Sequence, residues 1–285
     1  VASRGLGDVY KRQDMSSNHV SPESVSDVFR HYSKGFLTNV FTSFYWSHMD
    51  VRCRYRRSII GPFWETINML VMIMGMSFVS SAIFSVSMMG MLPYLGLGII
   101  FWSVISTSIN DGSACLIGNS DLIKNSNLGI GNFVGRTVFK IYITTAHHTL
   151  IYVIGLIFLD ININMITLLA IPGILLLFLN SLWVVPTLAL ICARYRDLEM
   201  IVKNLVMLSF FVTPIFWNSD VVRSNRRFIV DYNPFYYYLE IVRAPLLGEI
   251  PDLKVYIVVI LLTLFGYLLL TVTYSRMRPN LAFYV

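Results

Sequence analysis

Charge is what this sequence has least of. Only 13% of its 285 residues are Asp, Glu, Lys or Arg, and none lies between Thr66 and Asn110. A chain of this length cannot build a water-soluble core large enough to hide such a run, so a soluble globular class is excluded and the bilayer becomes the solvent. Cysteine is scarce too. Cys53, Cys115 and Cys192 show no metal-site spacing, and the topology argued below puts all three on the cytoplasmic side, where free thiols are expected. No Gly-x-x-x-x-Gly-Lys-Ser/Thr phosphate loop is present, so any ATP-driven motor has to be another chain. Gly129-Ile-Gly131-Asn-Phe-Val-Gly135 has the wrong spacing for a dinucleotide loop and no strand before it. His147 and His148 point apart as neighbours on a helix, with no Asp, Glu or Cys nearby to complete a metal shell; they read as hydrogen-bonding groups within a bundle, or as pore lining.

What is present is apolar. Hydrophobic residues make up 55% of the chain, and mean hydropathy is +0.64. Residues 1–38 are polar, aperiodic and without the apolar core of a signal peptide, which reads as a flexible cytoplasmic tail. Residues 1–14 precede the first methionine, Met15, and are read as a remnant without function. Phe41, Phe44, Tyr45, His48 and Met49 then recur at helical spacing, and Arg52, Arg54, Arg56 and Arg57 follow: an amphipathic interfacial helix over 39–57. Gly61-Pro62 turns the chain into the bilayer. Spans are expected at about 64–84, 93–109, 134–159, 165–193, 204–219 and 255–274, with short turns at Ser87–Pro93 and Asp160–Asn164, and a tail over 275–285. Asp111 to Asn132 is polar enough to leave the membrane and long enough for a surface helix; Arg194 to Glu199 reads as a compact charged loop.

Six spans place both termini on one side. Near the membrane that side carries Arg52, Arg54, Arg56, Arg57, Lys124, Arg136, Lys140, Arg194, Arg196, Lys203, Arg276 and Arg278, whereas the other has basic residues only in its third loop. The asymmetry makes the termini cytoplasmic. That third loop is itself too apolar for a loop. Asn233-Pro234 reads as a helix cap and first residue, and Phe235, Tyr238, Leu239, Val242 and Leu246 follow at helical spacing. The segment 228–250 is therefore expected to be re-entrant, with Glu240 and Arg243 placed to pair.

Several motifs in this order carry a resemblance: Arg54-Tyr-Arg-Arg-Ser-Ile-Ile-Gly-Pro-Phe-Trp64, Ala193-Arg-Tyr-Arg-Asp-Leu198, Thr213-Pro-Ile-Phe-Trp217, and Asn233-Pro-Phe-Tyr-Tyr-Tyr238 through Arg243-Ala-Pro-Leu-Leu-Gly248. From about Asn39 to its C-terminus the chain resembles the permease subunit of ABC-2-type exporters of bacterial cell-surface polysaccharide, such as O antigen, capsule or teichoic acid. Ile60 stands where that pattern has leucine. The resemblance implies an all-α, six-span protein of the bacterial inner membrane that forms a homodimeric channel and does no covalent chemistry. It also implies two separate ABC ATPase subunits that carry ATP and Mg, no cofactor on this chain, no nucleic acid, and a substrate built on a lipid diphosphate.

Site residues follow from both readings. Arg52, Arg54, Arg56 and Arg57 either hold the helix to anionic lipid or also steer the diphosphate, with Arg52 and Arg56 sharing one helix face. Trp102, Phe216, Trp217, Tyr236, Tyr237 and Tyr238 form either an interfacial aromatic belt or a stacking surface for sugar rings. Seven of the thirteen methionines lie between Met69 and Met91 and read as lipid-facing filler or an adaptable wall. The resemblance makes the segment around Leu116, Asp121, Lys124 and Leu128 a coupling helix against the ATPase, and adds Arg194, Arg196 and Asp197 as a second contact. The rival readings are an ABC-2 exporter of a small drug or lipid, a membrane-embedded glycosyl- or acyltransferase acting on a lipid carrier, and a passive scaffold. The transferase would need a carboxylate or base cluster that these spans do not offer.

Overall fold

The computed structural model describes residues 36, 38–125, 128–159, 163–219, 226–277 and 281–284. Among these residues every regular element is a helix. Five helical stretches are long and apolar enough to cross a membrane: Phe63–Phe84, Met88–Ala114, Ile130–Phe158, Met165–Arg194 and Leu253–Met277. With this composition they make the chain a multi-pass membrane protein.

Helix α1 (Val40–Arg54) packs along the start of α5 (Ile130–Phe158). It does so with its small face. Ser43, Ser47 and Val51 are buried, whereas Phe41, Phe44 and Tyr45 are exposed. The aromatic stripe thus faces outward and the small residues face protein, as expected where close backbone approach drives helix contact in lipid. The helix stops three residues before its expected end. Tyr55–Arg57 lie in a turn that leads to Gly61, whose φ of +65° suits glycine and whose N–H donates to Ser58 Oγ.

Helix α2 (Phe63–Phe84) buries only Ile73, Ser77 and Ser80, against α3 (Met88–Ala114) and α5. Helix α3 starts at Met88, not Pro93, because Ser87 caps it by accepting from Gly90 N–H, and Pro93 sits close enough to the start to be tolerated. It also runs past its expected end, through Asp111. Lys140 Nζ on α5 lies 2.6 Å from Asp111 Oδ2, so the carboxylate does not terminate the helix. A 3₁₀ turn (Ile117–Asn119) and the short α4 (Ser120–Asn125) follow.

A 3₁₀ turn at Met165–Leu169 continues into α6 (Ala170–Arg194), which packs on α3 and on α10 (Leu253–Met277). The tight turn expected at Asp160–Asn164 lies partly outside the described residues, as do the tail 1–35 and part of the third outer loop. The charged loop Arg194–Glu199 shrinks to Tyr195 and Arg196, because Asp197 and Glu199 form the first turn of α7 (Asp197–Val212), where acidic side chains favour a helix start. Helix α7 is about 24 Å long, short of a ~30 Å hydrocarbon core, and ends at Thr213-Pro214 instead of 219. The short α8 (Phe228–Asp231) precedes α9 (Pro234–Leu246), which is inserted among α3, α6 and α10. Asn233 accepts from Phe235 N–H and Pro234 occupies the first turn of α9. Helix α11 (Leu281–Tyr284) is a last short turn.

The charged contacts Asp50–Arg136, Asp111–Lys140 and Arg54–Glu65 gather at one end of the bundle. Helix α3, about 40 Å long, exceeds a ~30 Å hydrocarbon core.

Candidate functional site

The four arginines are not equivalent. Arg54 Nη1 donates to Glu65 Oε1 at 2.7 Å, bridging the end of α1 to the first turn of α2 across the Gly61 turn. Burial works against the Arg54 charge, but the Glu65 carboxylate more than offsets it and raises the guanidinium's pKa; burial pushes the neighbouring Tyr55 phenol up as well. Arg52, Arg56 and Arg57 are exposed and have no carboxylate partner among the described residues. Arg52, in the last turn of α1, and Arg56, in the turn beyond it, share a cavity of about 460 Å³ with Met49, Cys53, Tyr55 and Pro62. Two unpaired guanidiniums beside an open cavity can bind a diphosphate in bidentate fashion.

The aromatic residues divide into groups. Trp102, 7% exposed, meets Phe210 edge-on at 5.9 Å and Phe235 at 5.5 Å, and Phe210 stacks on Phe216 at 6.0 Å. This row joins α3, α7 and α9. Trp217 instead donates from its indole to the Phe211 carbonyl at 3.3 Å. Tyr236 and Tyr237 meet edge-on at 5.3 Å; the Tyr237 hydroxyl donates to Asp231 O, and Lys254 lies 5.7 Å over its ring. Tyr238 is buried and donates to Asn180 Oδ1 at 2.8 Å.

Asn180 itself escaped sequence reasoning. Its Oδ1 also accepts from Trp183 Nε1 at 2.7 Å, while its Nδ2 donates to Thr263 Oγ1 at 2.8 Å and to Leu176 O. One amide thereby ties α6 to α9 and α10. The only sequence signal was a polar pair, Asn180-Ser181, in an apolar span. Beside it, a mostly apolar cavity of about 440 Å³ is lined by Ser108, Asn180, Trp183, Leu205, Phe235 and Tyr238 among others.

Arg243 was foreseen as a partner of Glu240, and the two lie 2.6 Å apart. Its larger task is the break after α7. Its side chain is 2% exposed, and Nη1 donates to Pro214 O at 2.7 Å. Thr213 Oγ1 accepts from Asn233 Nδ2 at 3.0 Å, so the chain-breaking Thr213-Pro214 is fastened to α9 twice.

At the expected coupling segment, Leu116 is fully buried and Leu128 packs on the same apolar cluster, so both hold the segment in place. Asp121, Leu122 and Lys124 are exposed. Arg194 lies over the rings of Tyr195 and Tyr284, while Arg196 and Asp197 are exposed. His147 Nδ1 meets Ile143 O of its own helix at 2.7 Å, but neither ring nitrogen of buried His148 has a partner among the described residues.

No family model matches the chain. Two O-antigen export system permease proteins RfbA of Klebsiella pneumoniae are similar to it, each at 25% identity, over 208 and 218 residues. In both cases the match takes in 71% of this chain and 78% of the relative. In sequence, then, the chain is similar to O-antigen export permeases, as its motifs led us to expect.

Proposed function

We propose that the chain is the channel-forming permease subunit of an ATP-driven exporter of lipid-diphosphate-linked cell-surface polysaccharide. The observation that carries this reading is the pair of unpaired arginines, Arg52 and Arg56, on one cavity at the head of the first span, in a chain similar to O-antigen export permeases. On this reading α7 is a short fifth span, α8 and α9 are re-entrant, and both termini face the cytoplasm of a bacterial inner membrane. Two copies enclose the channel, and two ABC ATPase subunits, which hold the ATP and Mg, dock below it. The diphosphate meets Arg52, Arg56 and Arg57 while its acyl chain stays in lipid. The partly exposed aromatic faces of Phe216, Trp217 and Tyr236 give the passing glycan a grip that tolerates any sugar order.

The test is transport. Inside-out vesicles holding the permease and its ATPase should move a diphosphate-linked glycan into the lumen when ATP is supplied. Transport of only a small amphiphile, with the glycan left outside, would shift the assignment to an exporter of small drugs or lipids.

A further inference from the structure

Arg136 stands where three elements meet. Its Nε and Nη2 form a two-pronged contact with Asp50 Oδ2 and Oδ1 of α1, at 2.5 and 2.7 Å. Its Nη1 reaches Asn119 Oδ1 in the turn before α4 at 3.4 Å, and its guanidinium carbon lies 5.9 Å from the Trp46 ring. Asn119 is in turn latched to the end of α3, donating to Cys115 O at 2.7 Å. The same α1–α5 seam is close-packed. Ser43 Oγ donates to Asn132 O at 3.4 Å, and a Cβ added at Gly135 would fall 2.7 Å from Ser43 Oγ. Phe36 stacks on Phe139 at 6.1 Å, with Phe44 edge-on to the same ring at 5.7 Å.

The joint on the other side of α1 is built differently. Between α1 and α2 stand the Gly61 turn, at φ +65°, and one partly exposed ion pair, Arg54–Glu65, whose side chains are 55% and 30% exposed. Such a pair, screened by solvent, adds little to stability. Arg136 joins the surface segment 117–125 to α1 through Asn119 and Asp50. Asp50 lies two residues before Arg52 and six before Arg56. Whatever moves Asp50 moves the arginine cavity.

We infer that Arg136 is a positioning residue that links the surface segment facing the ATPase to the arginine-lined entrance, through its fork on Asp50 and its contact with Asn119. This rests on the exporter reading above.

The experiment uses the permease–ATPase complex in lipid and reads ATP hydrolysis with and without a diphosphate-linked glycan, for wild type, Arg136→Gln, Asp50→Asn and the double variant. Each single variant should keep its unstimulated hydrolysis, which reports a folded, assembled complex, and lose stimulation by about fivefold or more, the lower range of coupling between sites. The double variant should be no worse than either single one, since both remove the same link. Asn119→Ala, which leaves the α1–α5 seam whole, should also reduce stimulation. Full stimulation in Arg136→Gln, or losses that multiply in the double variant, would overturn the assignment while leaving the exporter reading intact. A wild-type complex that no glycan stimulates would bring down the exporter reading and this inference with it.

Discussion

The guanidinium carbon of Arg243 lies 3.9 Å from the centre of the Tyr94 ring, and both side chains donate to the Pro214 carbonyl, Arg243 at 2.7 Å and Tyr94 at 3.3 Å. A buried cation, an aromatic face and a helix break thus form one unit that joins α3, α7 and α9. Arg243→Met should cost about 3–5 kcal/mol, because it strands the Glu240 charge and leaves the Pro214 carbonyl with the weaker donor alone. Tyr94→Phe should cost about 1 kcal/mol. Thermal unfolding in a matched detergent ranks the two; equal midpoints would disprove the clamp.

Asn180 makes a separate prediction. Tyr238→Phe leaves its Oδ1 still bonded to Trp183 and should cost about 1 kcal/mol, whereas Asn180→Leu strands the indole, phenol and threonine donors and should cost about 3 kcal/mol or more. A double-mutant cycle on Asn180 and Tyr238 should be clearly non-additive, and additive losses would mean that the hub does not act as one.

Two glycines differ by what surrounds them. A Cβ at Gly173 would fall 2.6 Å from Ile241 O, so Gly173→Ala should push α9 off α6 and destabilise by about 1–3 kcal/mol. At Gly75 nothing lies within 4 Å, and Gly75→Ala should be neutral or slightly stabilising. Expression level and melting temperature should separate them; a tolerated Gly173→Ala would disprove the close approach of α6 and α9.

Cysteine labelling reports sidedness. Cys53 is exposed at the end of α1, whereas Cys115 and Cys192 are buried, and burial pushes the Cys115 thiol up to about 11, so little of it is thiolate at neutral pH. A membrane-impermeant maleimide should label one site, lost in Cys53→Ser, in inside-out vesicles and not in sealed cells. Labelling from outside the cell would invert the topology.

The parts legible in the sequence were those that local chemistry dictates. Asn233-Pro234 starts a helix because a side-chain acceptor and a residue without an N–H suit its first turn, and Glu240 pairs with Arg243 because three residues bring them to one face. The aromatic spacing of α1 was equally plain, but periodicity does not say which medium a stripe meets. Its outward turn is set by the fit of Ser43 to Gly135, residues 92 positions apart. Asp111 looked like a span end because its partner, Lys140, lies on another helix. Arg136 looked like one more positive-inside charge for the same reason. Arg54 belonged to the arginine cluster in sequence, and only the fold shows that Glu65 already occupies it.

The most direct measurement is ATP hydrolysis by the purified permease–ATPase complex in lipid, with and without a diphosphate-linked glycan, for wild type and for Arg52→Ala/Arg56→Ala. Stimulation in the wild type that disappears in the double variant, with unstimulated turnover kept, is the predicted result. Equal stimulation in both would remove the arginine cavity as the place where the diphosphate enters.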